Sequence, residues 1–280
     1  MSAARRGFSL AELMVAMVIA GIIGVALTRL VINQARFTSA QDGAMRARSG
    51  ARSALNALMY DLRQVGGRSV VAASQDSITL RVPYAFGVAC VQVSGTTVVA
   101  LLPPDSALYA DGQASGYVWR DSSGTWRRVE PATAAPTSTA SCTGATPPIV
   151  VPSGPAAAVA AALTPNDVAT FPGALVRVYQ NIRYAFAPSV QLSGRRALWR
   201  RVLSSGASDE IVVPFDTSAH FEFLVGPMLR PRTTVPGSLD SITGIRAVLV
   251  ATSEQAPEGR TQPTKFTMTS DLVFRNHDYF

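Results

Sequence analysis

The sequence predicts an α+β protein, a long N-terminal α-helix packed on antiparallel β-sheet. Three observations carry this. An apolar run near the N-terminus continues into a helical stripe that lasts to residue 65. The period then switches from 3.6 toward 2. The later strand-like segments are joined by short connections marked by Gly or Pro, which favours meanders over βαβ crossovers. With 280 residues and 48% hydrophobic content the chain is large and apolar enough to build a core.

The helix begins in the run from Phe8 to Thr28, FSLAELMVAMVIAGIIGVALT. A helix of this length spans roughly 30 Å, the thickness of a bilayer core. Arg5 and Arg6 precede it. The positive-inside bias therefore puts the N-terminus in the cytoplasm and everything after Thr28 outside. A secretory signal peptide would have a shorter apolar run and a small-residue cleavage site. No good A-x-A site follows Leu27, and the apolar pattern runs on through Leu30, Val31 and Ile32. Glu12 stands inside the run, where burying a carboxylate in lipid costs a few kcal/mol or more unless it is paired.

Beyond the apolar run, Ala44, Ala47, Ala51, Leu55, Leu58, Leu62 and Val65 recur at spacings of three and four and form one apolar stripe. Arg46, Arg48, Arg52, Asn56, Asp61 and Arg63 are assigned to the opposite face. Gly66 and Gly67 supply the expected C-cap, and a bend is expected near Asp42 and Gly43. Domain organisation reads as 1–7 leader, 8–28 transmembrane helix, 29–67 amphipathic continuation, 68–130 first β-rich region, 131–165 loop or linker and 166–280 second β-rich region.

Strand signals in the first β-rich region are Ile78, Leu80 and Val82 alternating with polar residues, then 88–93 and 97–102. YVWRDSSGTWRRV, from Tyr117 to Val129, is a hairpin signal whose Trp119 and Trp126 serve either cross-strand packing or an exposed contact surface. Residues 131–165 are rich in Ala, Thr, Ser and Pro with almost no charge, which suits a mobile loop or linker, with a short helix at 156–163. Strands are expected again at 175–179, 182–186, 197–203, 211–215, 221–225, 245–251 and 266–274.

Composition limits the functional classes. Net charge is +7, but only 15% of residues are charged. No compact basic and aromatic stripe is visible, so no specific nucleic-acid partner is expected. Cys90 and Cys142 lie in no C-x-x-C pair and near no histidine with metal-ligand spacing, so a zinc site is not expected. They either form a disulfide, closing a loop of about 50 residues, or remain two separate thiols. His220 and His277, the only histidines, fit no H-E-x-x-H spacing; His220 reads as a strand-end residue. There is no P-loop, G-x-S-x-G elbow or G-x-G-x-x-G turn, and adjacent Asp209 and Glu210 point to opposite faces of a strand. Asp105 and Asp111 are too loosely spaced for a calcium loop. No enzyme activity, no cofactor and no metal is expected.

The string RRGFSLAELMVAMVIAGIIG resembles the N-terminal signal of type IV prepilins and type II secretion pseudopilins: short basic leader, Gly, Phe, Glu five positions on, then a long apolar helix. RARSGARSALNALMYDLRQVGG and the C-terminal GIRAVLVATSE and TMTSDLVFRNHDYF are similar to PilW-type minor pilins and J-type pseudopilins. The resemblance implies a pilin-like fold, cleavage by a prepilin peptidase after Gly7, and N-methylation of Phe8. It implies that Glu12 meets a neighbouring subunit's terminal amine. The partners would be the peptidase, other pilin or pseudopilin subunits and the bacterial inner membrane, with the body periplasmic before assembly into a pilus or pseudopilus. The family differs in one respect, since many major pilins carry a Pro that this apolar run lacks. A single-pass periplasmic binding or sensor module is the rival reading, and an anchored hydrolase with scattered Ser and Asp the third.

Overall fold

The computed structural model describes residues 10–93, 95–101, 114–137, 141–142, 149–150, 160–167 and 170–274. Helix α1, Leu10–Leu62, is unbroken over 53 residues, about 80 Å long. Its first half stands clear of the body, whereas its second half is built into it.

Among the described residues sixteen strands follow: β1 Val70–Ser74, β2 Ser77–Val93, β3 Thr96–Leu101, β4 Gly116–Arg120, β5 Trp126–Val129, β6 Thr133–Thr137, β7 Ser141–Cys142, β8 Ile149–Val150, β9 Ala160–Thr164, β10 Leu175–Pro188, β11 Arg196–Val202, β12 Ser208–Phe215, β13 His220–Val225, β14 Arg230–Arg232, β15 Ile242–Thr252 and β16 Lys265–Val273. Fourteen form one antiparallel sheet, with the path β14-β13-β15-β12-β11-β10-β2-β3-β9-β6. Strand β1 pairs with β2, β16 with β15, and β4 with both β10 and β5, so the sheet branches.

The long strands β2 and β10 hold the sheet together. Beside β2, the first half of β10 pairs with β4 and the second half with β11. A β-bulge shifts the register at Tyr84, since Val178 faces Ala85 and Tyr179 faces Pro83. The extra residue reverses which positions of β2 face inward. Ile78, Leu80 and Val82 are buried before it, Ala85 and Ala89 after it. On β10 Val176, Val178, Ile182, Tyr184 and Phe186 are buried on one parity, and Tyr179 is buried on the other. One sheet face therefore stays apolar and feeds two cores. The larger includes Ala47, Ala51, Leu58, Phe186, Phe221 and Leu249; the smaller includes Val99, Tyr117, Trp119, Leu163 and Val176.

Helix α1 covers the larger core, packing on β12, β15 and β16. Its contact face is made of small residues, Gly43, Ala47, Ala51 and Ala54, which lets the backbones approach closely. A Cβ on Gly43 would lie 3.3 Å from the Ser253 Cβ, so Gly43 serves a close contact within a continuous helix.

Several expectations need correction. The helix ends at Leu62 in a tightened turn, with the Val65 amide donating to the Leu62 carbonyl at 3.3 Å. The left-handed position beyond it is Arg68, φ 59°, not Gly66 or Gly67. Asp61, assigned to the outer face, is buried. Part of the 131–165 segment is sheet: β6 pairs with β9, and β9, where a short helix was expected, pairs with β3. The Ala-rich run 160–164 follows its partner strand because Ala161 and Leu163 fill the smaller core. The segments 175–179 and 182–186 form a single strand, β10. Trp119 is fully buried, with its indole N–H donating to Asp167 at 3.2 Å, so it offers no exposed surface.

Candidate functional site: the membrane-proximal helix

Helix formation in the first half of α1 follows from a long run of residues with no proline and apolar side chains on every face. It is the one described helix long and apolar enough to cross a membrane, and none of that stretch is buried against the protein. A core helix of a soluble domain would be covered. Glu12 lies in the first turn of α1, exposed, the sole acidic residue of the helix before Asp42. Gly7 and Phe8 lie outside the described residues.

Just beyond the apolar run, α1 and the β15–β16 connection enclose a cleft of about 700 Å³, lined by Val31, Gln34, Asp42, Gly43, Glu254 and Pro257 among others. The connection leans on the helix: the Glu258 amide donates to Ser39 Oγ at 3.4 Å. Gly259, φ 78°, turns the chain where Arg36 sits against it, a conformation that L side chains rarely adopt.

At its far end the helix is fastened by a buried polar cluster that the sequence reading missed. Asp61, 3% exposed, accepts from Tyr184 Oη at 2.7 Å and Arg200 Nε at 2.9 Å. Burial and the adjacent Asp61 charge push the Tyr184 phenol far above its usual range. Burial works against the Arg200 guanidinium, but the bond and charge of Asp61 outweigh it and raise its pKa. A signal was present in the sequence: Asp61 falls three residues after Leu58 and seven after Ala54, on the apolar stripe itself.

The other candidate residues do not converge on this helix. Cys90 is disulfide-bonded, and Cys142, the chain's other cysteine, stands in β7. His220 opens β13, with Nδ1 2.7 Å from the Ser218 carbonyl. Asp209 and Glu210 lie on β12, and Glu210 Oε2 accepts from the Val190 amide at 2.9 Å. Asp105, Asp111 and His277 lie outside the described residues. Among the described residues no group of three or more His, Cys, Asp or Glu gathers in a way that would hold a metal.

Residues 2–28 match the family model of the prokaryotic N-terminal methylation motif. No curated protein and no solved structure matches the chain. The matched motif coincides with the exposed apolar half of α1 and with the basic residues before it. This chain therefore carries a type IV pilin-like prepilin signal, the mark of a prepilin peptidase substrate.

Proposed function

We propose that the protein is a minor pilin or pseudopilin of the PilW or J type, held in the inner membrane by α1 before it joins a pilus or secretion pseudopilus at the tip or during priming. The observation that supports this best is the division of α1. Its matched, apolar half is exposed along its whole length, while its other half is locked into the sheet through Ala47, Ala51, Leu58 and Asp61. Such a helix presents a hydrophobic rod to lipid or to other helices while its body stays folded outside.

In this reading the peptidase cuts after Gly7 on the cytoplasmic face, and Phe8 becomes the methylated N-terminus. Glu12 lies four residues along the chain from that terminus and meets the cationic α-amino group of a neighbouring subunit. In a low-dielectric bundle an ion pair persists only when both charges are satisfied. Cys142 is the partner of Cys90, consistent with a body in an oxidising compartment.

The test is Glu12→Ala in a strain producing the peptidase and filament machinery. Cleavage after Gly7 continues, while recovery of the variant in sheared filaments falls by about tenfold or more. Incorporation at the wild-type level would reject Glu12 as an assembly residue, and retention of all function without any filament would favour an anchored binding module.

A further inference from the structure

On the body half of α1 the side away from the core carries Met45, Arg52, Asn56, Tyr60 and Arg63, at helical spacings and all exposed, with exposed Arg48 at its edge beside Phe266. From residue 43 to residue 63 the only acid is Asp61, which is buried and bonded to Arg200. The face is therefore cationic along its length. It is also not a purely solvated face, since Met45 is 59% and Tyr60 67% exposed between the arginines. Met, Tyr and Arg are the residue types enriched where protein surfaces meet.

We infer that this face docks a helix of a different subunit whose facing residues are acidic, so that the chain takes part in mixed assemblies and packs poorly against copies of itself. The inference rests on the assembly reading above and adds the chemistry of the neighbour. Two copies laid side by side along this face would bring arginines against arginines, and like-charge juxtaposition selects against a wrong partner. Anionic lipid is a poor occupant. Arg48 lies roughly 20 residues past Thr28, about 30 Å along the helix, several times the screening distance of about 8 Å at physiological salt.

The experiment uses the full chain in membranes that contain a prepilin peptidase, with a photo-crosslinking amino acid in place of exposed Ser49. Crosslinking to a second, differently tagged copy is measured for two pairings: wild type with wild type, and wild type with an Arg52→Glu/Arg63→Glu copy. Arg48 is left intact because its guanidinium stacks 5.4 Å from the Phe266 ring centre. The mixed pair crosslinks about five-fold more than the wild-type pair at low salt, and the advantage shrinks at high salt. An Arg52→Lys/Arg63→Lys copy behaves as wild type, which separates charge from misfolding. Equal crosslinking of both pairings, or an advantage indifferent to salt, would overturn the inference. The mature N-terminus is read in the same membranes: an uncut chain defeats the assembly reading itself, whereas a cut chain with no preference defeats only the acidic partner.

Discussion

Two buried or half-buried carboxylates make predictions at the scale of single residues. Replacing Asp61 with Ala leaves the Tyr184 hydroxyl and the Arg200 guanidinium facing each other without their shared acceptor. Breaking a buried pair in this way costs about 3 kcal/mol or more, seen as a lower denaturation midpoint of the full chain in detergent. Asp216 is the pH-sensitive case. A 2.6 Å ion pair with Lys265 and hydrogen bonds from Ser218 lower its pKa to about 2. A carboxyl depressed on folding stabilises the protein above its unfolded pKa of about 4. That contribution fades as the pH drops from about 4 to about 2. Wild type is therefore more stable than Asp216→Asn at pH 7, and the two converge near pH 2. A difference that persisted in acid would mean the residue acts through packing.

At the scale of elements, the helix–sheet seam depends on small side chains. Ala51 is fully buried against the larger core, so Ala51→Leu overfills the seam and destabilises by about 1–3 kcal/mol. Arg52→Ala, one position along on the exposed face, leaves the melting temperature nearly unchanged. If Cys142 is the partner of Cys90, as proposed, Cys90→Ala/Cys142→Ala frees a loop of about 50 residues and lowers stability by roughly 4 kcal/mol in the chain-entropy model. The same elements mark how far the sequence could be read. Alternation exposed most of the strands, because Ile78, Leu80 and Val82 must share a face whatever they pair with. It did not expose the pairing. Gln180 and Asn181 interrupt the apolar rhythm, yet both sit in β10 opposite Val82 and Arg81. The β9 run of alanines has no strong β preference and becomes strand only because β3 and β6 flank it. Asp61 looked solvent-facing because the residue that neutralises it, Arg200, is far away in the sequence.

For the whole molecule, a single helix connects two environments. Its N-terminal half is apolar on every side and its C-terminal half is small-residued toward the sheet and cationic toward solvent. The prepilin motif, the basic residues before the span and Glu12 were all legible in the sequence, because lipid compatibility and peptidase recognition depend on local residue order. The body's surface carried no comparable local signature. The bonds from Tyr184 and Arg200 to Asp61 tie the far end of α1 to the body.

The most direct measurement is the intact mass and N-terminal sequence of the full chain recovered from membranes with and without an active prepilin peptidase. With the enzyme, the account predicts loss of residues 1–7 and a new terminus at Phe8 carrying one added methyl group. A chain that still began at Met1 beside a working peptidase, or that was cut anywhere else, would contradict it.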